Sequence, residues 1–194
     1  MSEQILDGTG TGKKAKVDEN NRLHTFSIVE DLSIEAAKNG RNYNINTGAI
    51  SLTSANESAV MYLKNNEDFD FAIEDIIVIL GTSTGGTGDL TVEIVKNPTT
   101  GTIVSGASVA DVISNRNFGS SRELTADVYK GAEGNTITNG SAFADTTRSS
   151  AGTVIHFDAD VEILPKGTSI GVNITPQPSN TSMSVKVAII GYLI

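Results

Sequence analysis

Two glycine-rich segments of this 194-residue chain contain residue types that bind phosphate in other proteins. In residues 8–14, glycines precede a lysine, and glycine amides in such a loop can surround a phosphate group. A Walker A motif, however, requires glycine where Asp7 stands and serine or threonine where Lys14 stands, and it lies between a core strand and a helix. In residues 81–88 no lysine follows and a strand comes next, so we expect a flexible hairpin loop there and no phosphate loop in either segment.

A nucleophilic serine is suggested by Gly167-Thr-Ser-Ile-Gly171, which matches the G-x-S-x-G pattern of serine hydrolases. That pattern functions on a sharp turn from a strand into a helix. Here Ser169 follows a Pro-Lys-Gly turn and leads into an alternating strand pattern. The sequence therefore favours a structural serine at this position.

Metal-ligating residues recur at every second position in His156, Asp158, Asp160 and Glu162. On a strand, residues i, i+2 and i+4 spread over more than ~13 Å, too far apart to hold one small ion without ligands from elsewhere. We expect a solvated acidic face. The chain has no cysteine, which excludes disulfides, thiolate nucleophiles and cysteine-ligated metals. We expect no enzyme, no cofactor and no metal site.

The charge balance disfavours nucleic acid as a partner. Fourteen basic against 23 acidic residues give a net charge of -9, which repels phosphate, and only 5% of residues are aromatic, which leaves little for base stacking. Lys13, Lys14 and Lys16 form a local basic cluster. This cluster is either part of a solvated arm or a contact to phosphate or an acidic partner, and we retain it as the candidate partner-binding site.

The first residues lack the basic and apolar regions of a secretory signal, and no apolar run approaches the ~18 residues of a membrane helix. We expect synthesis in the cytosol and no membrane partner.

Residues 1–21 are polar and glycine-rich, which predicts an extended arm that becomes ordered on a neighbour. Residues 22–194 are predicted to form the body.

Short strand patterns separated by turn residues dominate the body and predict an all-β fold. The uneven loop lengths favour an antiparallel β-sandwich of the jelly-roll type with at most one or two short helices. One helix is expected from Ser33 as N-cap to Gly40 as C′ residue, and a helical turn over residues 109–114 capped by Ser108. The strand patterns cover residues 23–29, 59–63, 69–80, 90–94, 102–104, 124–128, 155–163, 170–174 and 183–189.

Two strands carry specific expectations about their faces. Phe69, Phe71 and Ile73 are out of phase with the run over residues 76–80, which predicts a bulge between them. Residues 155, 157, 159, 161 and 163 are apolar, which predicts one continuous buried face along this strand. The irregular stretches 81–89 and 105–122 are long enough to be functional loops.

Residues 5–23, 53–59 and 163–172 resemble segments of virion structural proteins of tailed bacteriophages. In size and predicted fold the chain is most similar to capsid decoration, or cement, proteins of that class. The resemblance carries no catalytic signature and no family site residues.

This resemblance implies a protein of the capsid exterior that binds the major capsid protein, forms a homotrimer, and is made in the host cytoplasm. It also implies that the arm, with its three lysines, contacts the capsid or a neighbouring subunit. A tail, collar or fibre component is the alternative. A glycan-degrading virion hydrolase and a carbohydrate-binding module are two further alternatives from other functional classes.

Overall fold

The computed structural model describes residues 31–149 and 152–194, together with the backbone of two short strands near the N-terminus. Two compact units divide the chain, residues 1–31 and residues 32–194. In the first unit, β1 (Lys16–Val17) pairs antiparallel with β2 (Leu23–His24). The predicted boundary between arm and body, at residues 21 and 22, lies outside the described residues.

Strands are the main regular structure of the second unit. Its two helices are α1 (Leu32–Lys38) and α2 (Thr102–Gly106). Its strands are β3 (Asn42–Asn46), β4 (Ile50–Leu52), β5 (Ser58–Asn65), β6 (Phe71–Leu80), β7 (Leu90–Lys96), β8 (Ser108–Val109), β9 (Val112–Asn115), β10 (Ala126–Lys130), β11 (Ser141–Arg148), β12 (Thr153–Leu164), β13 (Ser169–Thr175) and β14 (Met183–Leu193).

These strands form two antiparallel sheets with jelly-roll connectivity. One sheet has the order β11-β7-β13-β5-β10-β8, and the other β12-β6-β14-β3-β9 with β4 also paired to β14. Eight strands, four consecutive in each sheet, follow the jelly-roll path: β3, β5, β6, β7, β11, β12, β13 and β14 in chain order. The predicted all-β sandwich of jelly-roll type is confirmed. Strands β8, β9 and β10 are an insertion that widens both sheets on one side.

The core lies between the sheets and follows the period-two pattern of the strands. Along β14, residues 183, 185, 187, 189, 191 and 193 are buried while the residues between them are more exposed. Val187 and Ile189 from one sheet and Ile94 and Val172 from the other are completely buried in the same cluster. Alternation of this kind places one apolar row on the inner face of each sheet.

The predicted bulge in the segment 69–80 is confirmed in β6. Strand β14 runs directly from Ile190 to Gly191, whereas the opposing residues on β6 skip from Asp75 to Ile73. Glu74 is therefore the extra residue. It shifts the buried set from Phe71 and Ile73 to residues 76, 78 and 80, which keeps both apolar runs in the core.

The predicted continuous buried face of β12 is wrong. Ile155 is buried, but at the other end of the strand Leu164 is buried while Ile163 is 38% exposed. The pairing with β6 is irregular between Asp158 and Glu162, next to the β6 bulge. From Asp158 to Glu162, β12 advances four residues while β6 advances two, so β12 has an irregularity of its own, and its buried positions change from odd at Ile155 to even at Leu164.

The insertion adds a partial third layer, and here two sequence expectations are wrong. Residues 102–104 belong to α2 instead of a strand, because a helical turn directs Ile103 onto Ala59 and Tyr62 on the outer sheet face. The residues 109–114 contribute to β8 and β9 instead of a helix, because sheet edges are available on β10 and β3.

The prediction of Gly40 as the residue that ends α1 is confirmed, whereas the prediction of Ser33 as its N-cap is wrong. The amide of Gly40 donates to Ala37 O (3.0 Å) and that of Arg41 to Ala36 O (2.7 Å), the two bonds of a Schellman motif, with Gly40 at φ 65°. The helix begins at Leu32, so Ser33 lies in its first turn, where its Oγ accepts a hydrogen bond from Asn42 Nδ2.

No helix among the described residues has the length and apolarity needed to cross a bilayer.

Candidate assembly surfaces

The residues with catalytic potential are engaged in structural contacts. Ser169 is buried at the start of β13, and its Oγ donates to Pro98 O at 2.9 Å. His156 Nδ1 lies 2.9 Å from Asp75 Oδ2 on the neighbouring strand. Within the described part of the chain, no group of three or more histidine and acidic side chains is placed to hold a metal ion. The geometry therefore directs attention to surfaces that could bind another macromolecule.

The candidate partner-binding lysines belong to the first unit. Lys13 and Lys14 lie outside the described residues, and Lys16 is described only as part of the backbone of β1. Their role as a contact to a partner stays a prediction. Two surfaces of the second unit, by contrast, are described in atomic detail.

The first surface is the edge of the sandwich where β11 and β12 end the two sheets. β11 pairs only with β7, and β12 only with β6, among the described strands. β11 ends at Arg148 and β12 begins at Thr153, and each is the last strand of its sheet on this side. Most side chains of β11 are exposed, so this side of the sandwich is open. A long strand with an unpaired edge is a template for association with another chain.

A cleft of about 330 Å³ enters the sandwich at this open edge. Leu164 and Ile170 are buried, while Phe143 on β11 is 49% exposed and Ile163 is also exposed. Its other lining residues are Lys96, Asn97, Glu162, Pro165, Thr168 and Ser169. An apolar cavity of ~150 Å³ is enough to bind benzene, so this cleft has room for an aromatic side chain.

The shape of the cleft depends on buried Asn65 at the end of β5. Its Nδ2 donates to Leu164 O (2.8 Å) and Phe69 O (2.9 Å), and its Oδ1 accepts from the amide of Glu67. These bonds hold the end of β12 against β5. The segment 163–172 supplies six of the lining residues.

The second surface is the opposite edge, formed by β8, β9 and the turn after β9. β9 adds to β3, and β8 adds to β10. Apolar side chains are exposed along this insertion, in particular those of Val109, Val112 and Ile113. Phe118 in the following turn is fully exposed. A phenylalanine with its whole side chain in water is the kind of residue that anchors protein interfaces.

The turn that carries Phe118 is held by asparagine side chains. Asn115 Nδ2 donates to Gly40 O (2.7 Å) and Arg122 O (3.1 Å), which ties the turn to the end of α1. Asn117 Nδ2 donates to Lys38 O (3.0 Å). Within the turn, Asn115 Oδ1 accepts from the amide of Asn117 at 2.9 Å, and Asn117 Oδ1 from that of Gly119 at 3.0 Å. The aromatic ring is thus presented from a braced backbone.

Buried Tyr43 also contacts the end of α1, to which the turn that carries Phe118 is bound. Its hydroxyl donates to Gly40 O at 3.3 Å, and burial raises the pKa of this phenol. Sequence analysis did not single out Phe118 or Phe143. The available signal was an isolated aromatic residue, between Asn117 and Gly119 for Phe118 and between two alanines for Phe143.

No protein-family model matches the chain, and no curated protein matches it either. Among solved structures, the chain is similar to one of tomato aspermy virus, with 9% identity and a TM-score of 0.31 over 89% of this chain and 83% of the other. It is also similar to the VP2 subviral particle of infectious bursal disease virus, with 13% identity and a TM-score of 0.18 over 79% and 41% of the two chains. Likenesses this low carry no argument about function.

Proposed function

We propose that this chain is a structural protein of a virus particle, and specifically a decoration protein on the capsid exterior of a tailed bacteriophage. In this role it binds the major capsid protein as a homotrimer and stabilises the head lattice, without catalytic activity or a cofactor. The bacteriophage part of the proposal rests on the sequence resemblance of residues 5–23, 53–59 and 163–172.

The observation that carries the proposal is a jelly roll with exposed apolar residues at both lateral edges. Jelly rolls occur in viral capsid proteins, and also in lectins and cupins, so the fold alone does not decide the function. The surface favours assembly, because Phe118 on one edge and the cleft around Phe143 on the other are apolar features that a partner would bury.

The test is to mix the purified full-length protein with purified capsids that lack it, and to image the particles by electron microscopy. We expect density on the outer capsid surface at hundreds of copies per particle, and capsids that resist heat or low salt better than undecorated ones. Absence of the protein from the capsid surface would overturn the decoration function.

A tail, collar or fibre component is the second candidate, since the exposed apolar edges suit these assemblies equally well. Copy number separates the two, because a tail or collar component is present in a few to a few dozen copies. Density confined to the tail in the same micrographs would favour this second candidate.

A further inference from the structure

We propose that Glu57, Glu93 and Asn173 form a calcium-binding site on the outer face of the sheet that contains β7, β13 and β5. The proposal goes beyond the proposed function and does not depend on it. No motif in the sequence indicates this site, because Asn173 is 80 positions from Glu93 and 116 positions from Glu57 along the chain. Only the pairing of the strands brings the three side chains together.

The three residues come from adjacent segments of one sheet. Glu93 and Asn173 are directly opposite each other on β7 and β13. Their neighbours along the two strands, residues 92, 94, 172 and 174, belong to the core between the sheets, so the two side chains lie on the outer face. Glu57 immediately precedes β5, which pairs with β13 on its other side.

The side-chain amide of Asn173 lies against both carboxylates. Its Nδ2 is 3.1 Å from Glu93 Oε2 and 3.5 Å from Glu57 Oε1. Asn173 is only 5% exposed, and its Oδ1 is buried without a hydrogen-bond partner. A buried amide oxygen without a donor is unfavourable, and a bound ion is one way to satisfy it.

The negative charges around Asn173 are not balanced by basic side chains. Asp145 on β11 is directly opposite Glu93, and like charges in this position repel each other. In the part of the chain that the structure describes, no lysine, arginine or histidine forms an ion pair with Glu57, Glu93 or Asp145. A neutral amide cannot compensate these charges, whereas a divalent cation can.

The spacing of the oxygen atoms favours calcium over magnesium. A half-turn of the Asn173 amide exchanges its two ends and places Oδ1 at the same 3.1 and 3.5 Å from the two carboxylate oxygens. Neighbouring ligands of octahedral Mg²⁺, at 2.0–2.1 Å from the ion, are about 2.9 Å apart. Ca²⁺ takes six to eight oxygens at about 2.3–2.6 Å and variable angles, so it accommodates both spacings. Water supplies the remaining ligands on the side of Glu57, which is exposed.

Thermal unfolding of the full-length protein tests the site, at one fixed protein concentration. The conditions compared are EDTA, calcium chloride at about 10 mM, and sodium chloride of equal ionic strength. A Kd of about 0.1–1 mM, in the range of weak calcium sites, shifts the folding equilibrium roughly 10- to 100-fold and raises Tm by roughly 3–10 °C. Magnesium at the same concentration should raise Tm by less than half as much.

Two isosteric variants identify the ligands. Glu57→Gln and Glu93→Gln each keep the shape of the side chain and remove its charge, so each should weaken calcium binding at least ~10-fold in isothermal titration calorimetry. Glu123→Gln, at an exposed glutamate in the segment before β10, is the charge-matched control and should change binding less than ~2-fold. In EDTA, Glu93→Gln should be at least as stable as wild type, because it removes the repulsion from Asp145.

Asn173→Asp separates an ion ligand from a structural hydrogen-bond donor. In EDTA, a third carboxylate beside Glu57 and Glu93 should lower Tm. Calcium should then raise Tm by more than it does in wild type, because a carboxylate is a stronger ligand than an amide. A purely structural amide predicts the same loss in EDTA without recovery in calcium. Absence of this recovery, or a wild-type response to calcium no larger than that to sodium or magnesium, would overturn the proposal.

Discussion

Replacing Asn180 by alanine should destabilise the fold strongly, although the change removes only a small polar side chain. Asn180 is buried in the turn before β14. Its Nδ2 donates to Leu52 O and Ser54 O, both at 3.0 Å, and its Oδ1 accepts from Ser83 Oγ at 2.7 Å. One side chain therefore joins three connections: the one after β4, the one after β6 and the one before β14.

The magnitude follows from which partners lose their hydrogen bonds. Leu52 O stays buried without its donor, which costs about 1–3 kcal/mol, while Ser54 O and the Ser83 hydroxyl are more accessible and regain water at about 0.5 kcal/mol each. We expect a loss of about 2–4 kcal/mol in the free energy of unfolding. For a chain of this size that corresponds to a decrease in Tm of roughly 4–16 °C.

Urea unfolding followed by circular dichroism measures this loss, at one fixed protein concentration because the stability of an oligomer depends on concentration. Asn180→Asp should be at least as destabilised at neutral pH, since a carboxylate has no donor for the two carbonyls. Asn66→Ala is the control, because the Asn66 side chain makes no hydrogen bond among the described residues, and it should change stability by less than ~0.5 kcal/mol. An Asn180→Ala loss as small as that of the control would refute the reasoning.

Three further predictions concern the pH response, the outer layer and the arm. Hydrogen bonds from Ser54 and Thr53 lower the pKa of Glu133 in the folded state, so the carboxylate stabilises the fold above its unfolded-state pKa and this stabilisation is lost as pH falls through its folded-state pKa. The difference in the free energy of unfolding between wild type and Glu133→Gln should therefore shrink in acid. A difference independent of pH would contradict this. Gly131→Ala should destabilise by about 1–3 kcal/mol in urea unfolding, because a Cβ there overlaps the backbone carbonyl oxygen of Ala59, whereas Gly119→Ala, whose Cβ meets nothing closer than 3.5 Å, should be nearly neutral. Replacing Lys13, Lys14 and Lys16 together by alanine, or deleting residues 2–20, should weaken capsid cosedimentation at least tenfold while Lys186→Ala does not; undiminished binding would exclude a role for the arm.

The local patterns of the sequence correctly predicted those features that depend on neighbouring residues alone, such as the alternation in a strand, a bulge and the end of a helix. The period of two along β14 and the phase change within β6 were both readable, because an apolar row must face the core and one extra residue must shift it. Gly40 was readable as a helix terminator because few other residues adopt a positive φ. The absence of cysteine was equally informative about the chemistry that the chain cannot perform.

The insertion between β7 and β11 shows where local patterns fail. Residues 102–104 have strand-forming side chains but form a helical turn, since only that geometry places Ile103 on the outer face of the sheet. Residues 109–114 were assigned to a helix but add to the edges of both sheets. In each case a partner distant in sequence supplies the deciding contact, and tertiary contacts override local propensity.

By itself, the sequence determined the fold class, the alternation of a strand such as β14 and the absence of cysteine chemistry, because these depend on residue types at fixed local spacing. Only the tertiary structure decided which strands end the two sheets, and therefore that the cleft around Phe143 and the exposed Phe118 lie on opposite edges. Edges, clefts and exposed rings are properties of strand order and register. Strand order arises from pairings between residues up to about 150 positions apart, such as Asn42 with Tyr192, which no local window of the sequence contains.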